Sequence, residues 1–263
     1  MDRPSFYWGI ASYDRVDRQP MLLNLAEMGY QRHEIILATQ TPTDFEQYSE
    51  KYGEYATILY RPASNVSENK NTILEHLRDH CGNTRVVMCS DKVRAINRMG
   101  KDGKLYPITT REEMDAFVKK AFFVTKRLGG SAFGLFPIGN TFYMSHVIHI
   151  NQWILGCFMG ILNPADQMFD TNLPLKEDFG YSLSVISRGG KIVRFSDMCM
   201  TATLHTKGGC HAAWNSDKDK VNEDCCAYLM ATYPGLVKPH ATRRNEVRYT
   251  GPKATIQKSI FDI

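Results

Sequence analysis

Short apolar runs recur through the first hundred residues, and each stops at a cluster of polar side chains. Phe6, Tyr7, Trp8, Gly9, Ile10 and Ala11 form the first run, which ends at Ser12, Tyr13, Asp14 and Arg15. Runs of this length bounded by turn-forming residues read as buried strands. Residues 33–38 repeat the pattern and stop at Thr39, Gln40, Thr41 and Pro42; residues 56–60 repeat it again; residues 85–90 end at the carboxylate of Asp91, followed by Lys92. Between these runs the spacing becomes helical, over residues 20–28 with a stop at Gly29, over residues 44–51 and over residues 71–80. The alternation predicts an α/β fold, with a mixed, largely parallel, Rossmann-like central sheet flanked by helices.

After Asp91 the pattern loosens. Residues 100–104 form a Gly- and Asp-rich turn, and residues 112–128 carry Met114, Phe117, Val118, Ala121 and Phe122 along one helical face. Residues 132–136 and 148–150 read as strands of a mixed second half, while the apolar stretch around residues 142–162, broken by His146, His149, Asn151 and Gln152, reads as a buried helix. Glu177 and Asp178 open another predicted helix that ends at Gly189 and Gly190. Acids favour a helix amino terminus through the helix dipole, so capping is one role for this pair. Strands are expected again at residues 191–195 and 201–205, and a helix around Cys225 and Cys226.

In open parallel sheets ligands bind beyond the carboxyl ends of the strands, which is where the polar clusters fall. Ser12, Asp14 and Arg15 follow the first strand, Thr39, Gln40 and Thr41 the second, and Asn65, Ser67, Asn69, Lys70 and Asn71 the third. Arginine and lysine suit pyrophosphate charge, and amides suit hydroxyls. No Gly-x-Gly-x-x-Gly and no phosphate-loop Gly-Lys-Ser/Thr occurs, which removes the main support for dinucleotide and ordinary NTPase readings. The first residues lack the apolar core of a signal peptide, and seven cysteines without metal-type spacing fit free thiols, so a cytoplasmic protein without a membrane span is expected. The net charge of +4 is too small to establish a nucleic-acid partner. The basic residues of the carboxy-terminal part, Lys238, His240, Arg243, Arg244, Arg248, Lys253 and Lys258, face only Glu246 and Asp262 as acids, and this run suits a phosphate backbone or a solvated surface.

Ser12-Tyr13-Asp14-Arg15, Asn71-Thr72-Ile73, Glu177-Asp178-Phe179-Gly180-Tyr181-Ser182-Leu183, Thr206-Lys207-Gly208-Gly209 and Tyr233-Pro234-Gly235-Leu236-Val237 together resemble GT-A glycosyltransferases. More narrowly they resemble the phage-type TET-associated DNA glycosyltransferases related to base J glucosyltransferase. The resemblance implies one GT-A-like domain over residues 1–240, with a nucleotide-sugar half of about 1–96 and an acceptor half of about 97–240, followed by a basic segment, 241–263. It implies transfer of a sugar from a UDP-sugar to 5-hydroxymethylcytosine or another hydroxymethylpyrimidine in phage DNA, in the host cytoplasm. A protein, lipid or saccharide acceptor, and an inactive nucleotide-sugar or DNA-binding module, are the alternatives.

The resemblance also assigns residues. Asp178 would be the general base, with Glu177 in support. Ser12, Tyr13, Asp14, Arg15, Thr39, Asn69, Asn71, Ser90, Lys207 and Gly208 would bind the donor. Asp91 would hold a divalent Mn or Mg ion on the pyrophosphate, with His205 or His211 as a later ligand. One departure matters: Cys89 stands where the family has the first acid of its metal motif, and these ions prefer oxygen ligands.

Overall fold

The computed structural model describes residues 3–203 and 217–263. The first half alternates as the apolar pattern predicts: β1 (Tyr7–Ala11), α1 (Pro20–Glu27), β2 (Ile35–Thr39), α2 (Pro42–Tyr52), β3 (Thr57–Tyr60), α3 (Val66–His80) and β4 (Val86–Ser90). These four strands pair in parallel, with β1 between β4 and β2. Every residue of β2 is buried, and β4 is buried up to Ser90. Strands covered on both faces by crossover helices read as continuous apolar runs, which is why they were visible in the sequence.

The second half is mixed. It comprises β5 (Val93–Met99), β6 (Leu105–Pro107), α4 (Arg111–Arg127), β7 (Gly130–Phe136), β8 (Ile148–Ile150), β9 (Phe158–Ile161), α5 (Glu177–Ser187) and β10 (Lys191–Ala202). It continues through α6 (Lys218–Thr232), β11 (Val237–Pro239), β12 (Val247–Tyr249) and β13 (Ala254–Ile256). Among the described residues the sheet runs β13-β8-β10-β7-β9-β4-β1-β2-β3, with the end of β10 turning to pair β5. β9 lies antiparallel between β4 and β7 and joins the halves into one sheet. Met21, Leu22 and Leu25 of α1, Tyr48 and Tyr52 of α2, and Phe117 and Phe122 of α4 pack with Trp8 and Phe158 on one face. Ile73 and Leu77 of α3 and Tyr181 and Val185 of α5 cover the other. Each large apolar side chain buried in these layers contributes on the order of 2 kcal/mol.

Several expectations are corrected. Residues 142–162 are not a helix: they hold β8, at the strand expected over 148–150, and the unexpected β9, whose partners are distant strands. Local periodicity does not register such pairing. Ser67, Asn69, Lys70 and Asn71 are not loop residues: α3 starts at Val66, because the Asn65 side chain accepts the Glu68 amide hydrogen and caps the helix there. The two strands expected at 191–195 and from 201 are a single twelve-residue β10 ending at Ala202. The segment 241–263 is built into the fold, since β12 pairs β11 and β13 pairs β8. Among the described residues no helix is long and apolar enough to cross a membrane.

Candidate active site

The carboxyl ends of β1 and β4 meet at a buried polar cluster. Asp91, one residue beyond β4, is 3% exposed. Its Oδ1 accepts from Arg15 Nη1 at 3.1 Å and from Ser90 Oγ at 3.2 Å, and its Oδ2 accepts from Ser12 Oγ at 2.8 Å. Ser12 Oγ lies 2.7 Å from the Tyr48 hydroxyl and accepts from Gln19 Nε2 at 2.8 Å. Burial raises the Tyr48 hydroxyl above its ordinary pKa, so it keeps its proton and donates to Ser12. Asn69 Nδ2 donates to the carbonyls of Ser12 and Ala38, which clamps β1 to β2 at their ends. Arg15, Arg18, Lys92 and Arg94 line an adjoining cleft of about 330 Å³, with Asp17 as the acid in its wall. Such a surplus of cations suits a doubly charged phosphate group.

Asp91 and Arg15 form a buried ion pair, with side chains 4% and 3% exposed. Removing one partner of such a pair typically costs about 3–5 kcal/mol. Asp91→Ala is therefore expected to lower Tm by roughly 6–20 °C, at about 2–4 °C per kcal/mol for domains of roughly this size. Asp91→Asn should lose less, because the amide oxygen still accepts from Ser12. A thermal melt of Asp91→Ala superimposable on the parent's would show that the pair contributes nothing to the fold.

A second cluster faces the first across the loop before β9. The Ser90 amide donates to the Cys157 carbonyl at 3.0 Å, and the neighbouring Gly156 amide donates to Asp178 Oδ2 at 2.8 Å. Asp178 Oδ1 accepts the Phe179 amide hydrogen at 2.8 Å. Lys70 Nζ, from α3, bonds Glu177 Oε1 at 2.6 Å and sits 5.0 Å above the Phe169 ring. Gly156 leaves room for this pair: a Cβ would stand 2.6 Å from Lys70 Nζ and 3.0 Å from Glu177 Oε1, and would push the two side-chain ends aside. Lys176, which precedes the acids, adopts a left-handed conformation (φ 60°) and pairs with Glu246 at 3.2 Å. Strain of this kind gathers where a site needs a particular presentation.

The charges of the second cluster set its chemistry. Burial, then the neighbouring Glu177 charge, push the Asp178 carboxyl up to about 6, against the pull of Lys70 and the two backbone amides. A carboxylate poised there takes up and gives back a proton near neutral pH. Burial lowers Lys70, but Glu177 beside it more than offsets this and leaves it raised, so it is a cation at neutral pH. The Cys157 thiol is pushed to about 11 by burial, and Cys89 is raised by burial too, so neither is a thiolate nucleophile at neutral pH.

Of the residues singled out in the sequence, Ser12, Arg15, Ser90 and Asp91 form one cluster, Glu177 and Asp178 form the other, and Asn69 braces the strand ends. Thr39 donates to the Leu59 carbonyl, and Asn71 bonds both backbone groups of Phe169, so these two tie loops down. Tyr13 is half-buried; Asp14 is exposed with φ 50° and donates its amide hydrogen to Asp44. His205, Lys207, Gly208 and His211 lie outside the described residues. Gln19, Tyr48 and Gly156 complete the site, and Lys70, expected in the loop after the third strand, reaches Glu177 from α3 instead.

A divalent ion does not fit the described residues. Among them no group of three His, Cys, Asp or Glu side chains is placed to hold one. Asp91 spends both oxygens on Arg15, Ser12 and Ser90, and Cys89 turns its thiol toward the Gly9 carbonyl at 3.7 Å, within the core. No chemical step is therefore routed through a metal.

No family model matches the sequence, and no curated protein matches it. Among solved structures, the crystal structure of a mycobacterial protein is similar over 97% of this chain and 84% of that one, with a TM-score of 0.50 and 12% sequence identity. At that identity the likeness concerns the fold alone: a mixed α/β architecture with a large central sheet between helices.

Proposed function

We propose that the chain is a GT-A-like glycosyltransferase that moves a sugar from a UDP-sugar to a hydroxymethylated pyrimidine in DNA. The observation that carries this reading is Asp178, a carboxylate with its pKa near 6, held through the Gly156–Cys157 loop against the strand end that carries Ser90 and Asp91. In the reaction Asp178 takes the proton of the acceptor hydroxyl as its oxygen bonds to the anomeric carbon. The bond from that carbon to the diphosphate oxygen breaks, and UDP leaves with the electron pair. Arg15, Arg18, Lys92 and Arg94 meet the diphosphate charge, and Asp91 orients Arg15. Lys70 holds Glu177 aside so that Asp178 is the acid free to accept a proton.

The DNA acceptor is supported by the place of the basic hairpin. Trp153 contacts Phe179 at 4.1 Å between ring centroids and Tyr249 at 5.9 Å, so the β11–β12 hairpin packs on the first turn of α5, which carries Asp178. Lys238 lies directly across from Arg248, and Arg243 and Arg244 are exposed at the connecting loop. Like charges directly opposite are unfavourable unless an anion lies between them. Neutralising Arg243, Arg244 and Arg248 together should weaken DNA binding and flatten its salt dependence by about one unit of slope per lost phosphate contact. Unchanged affinity at every salt concentration would exclude the hairpin from the DNA surface.

The direct test is incubation with UDP-sugars and DNA containing 5-hydroxymethylcytosine, followed by mass analysis of the released nucleosides. Gain of one sugar mass on the modified nucleoside is expected. UDP-sugar binding without transfer to any acceptor would leave a binding module, and transfer to a saccharide or protein instead would reassign the acceptor.

A further inference from the structure

A cavity of about 790 Å³ lies at the opposite edge of the sheet, where β4, β7 and β10 begin. Its size is that of a small-molecule site. Phe122, Leu162 and Val185 supply an apolar wall, and Phe123 stands 56% exposed beside it. Three cations, Arg85, Lys126 and Arg188, line it against one carboxylate, Asp166. None of the three pairs with a carboxylate among the described residues. Arg85 lies over the Phe122 ring at 5.5 Å, which fixes one guanidinium against the apolar wall.

Tyr181 adds an independent indication. It lines the cavity, its ring is 2% exposed and packs 4.9 Å from Phe169, and its hydroxyl makes no hydrogen bond among the described residues. The hydroxyl opens on the cavity rather than being sealed in the core, so it is available to pair with water or with a ligand there. Arg188 and Asp166 are the charges that act on it, and both line the same cavity.

We infer that this cavity is a second ligand site for a planar ring bearing a dianionic group, the chemistry of a nucleoside monophosphate. The exposed Phe123, beside the Leu162 wall, takes the ring. The surplus of two positive charges takes the phosphate dianion, and the Tyr181 hydroxyl bonds a polar edge of the ligand. The assignment does not depend on sugar transfer, because none of these residues belongs to the Asp91 or Asp178 clusters.

The test is calorimetric titration of the full chain with adenosine 5′-monophosphate. Arg85→Gln/Lys126→Gln, which alters exposed side chains, is expected to weaken binding by about tenfold or more, since charge-assisted contacts are lost. Tyr181→Phe should weaken it several-fold, by about the worth of one hydrogen bond. Arg18→Gln/Lys92→Gln, in the cleft at the other edge, should leave it unchanged. Adenosine and inorganic phosphate should each bind more weakly than the monophosphate. No binding at millimolar concentration, equal binding by phosphate alone, or a loss confined to Arg18→Gln/Lys92→Gln would overturn the assignment.

Discussion

Asp178→Asn is expected to lower turnover by about a hundred-fold or more while leaving donor binding nearly unchanged, because a general base acts mainly in the transition state. In the parent the rate should rise with pH through about 6, where Asp178 loses its proton, and level off above. That limb should vanish from the residual activity of the variant. Stability gives a second readout with the opposite sign from an ordinary helix cap. The folded pKa of Asp178 is raised above its ordinary 3.8, so the folded state binds the proton more tightly than the unfolded chain does. The parent therefore loses stability as pH rises from about 4 to about 6, whereas the asparagine variant does not. The Tm of Asp178→Asn relative to the parent should climb across that window. A flat difference would mean that Asp178 is a capping acid with an ordinary pKa. Full activity in both Asp178→Asn and Glu177→Gln would remove the pair from the mechanism.

How much of this could be read from the chain alone follows from which interactions are local. β1, β2 and β4 are buried on both faces, so their apolar runs stood out, as did the polar residues at their ends. Asp91 was visible for the same reason: a charge after an uninterrupted buried strand. Its partners were less so. Ser12 and Arg15 lie 79 and 76 residues away from it, and nothing in their spacing says that Arg15 takes the oxygen an ion would otherwise need. The acid pair was legible as the start of a helix, but the pKa of Asp178 is raised by burial and by Glu177 against the opposing pull of Lys70, which pairs with Glu177 across 107 residues, and of a glycine amide from an unrelated loop, and none of this is local in sequence. α3 shows the limit most plainly. Ser67, Asn69, Lys70, Asn71 and Thr72 look like a solvated loop by polarity, yet all are buried, because the helix turns its polar residues toward the strand ends and the loops above them. β9 was missed for the complementary reason, since a short strand whose partners are far along the chain carries no period of its own, whereas β8 was read at residues 148–150.

Lys70→Met tests the coupling between the two acids and should cost the fold as much as loss of the Asp91–Arg15 pair. Methionine keeps an unbranched apolar stem against Phe169 but withdraws the cation from Glu177, whose side chain is 15% exposed, and from Asp178. Breaking a buried pair of this kind costs about 3–5 kcal/mol, since the remaining charge stays desolvated. The loss should be larger at pH 7 than at pH 5, because protonation of Asp178 at the lower pH relieves the repulsion between the two carboxylates. The same repulsion must raise Asp178 further, as a like charge without its counterion disfavours ionisation. The rising limb of the rate should therefore move above pH 6, with turnover recovering at alkaline pH as Asp178 finally ionises. Lys70→Met/Glu177→Gln should restore much of the lost stability and return the limb toward that of the parent, because the buried charge and its repulsion are removed together. A limb that stays at about 6 in Lys70→Met would separate the lysine from the base. A double variant no more stable than the single would show that Lys70 contributes through packing on Phe169 rather than through charge.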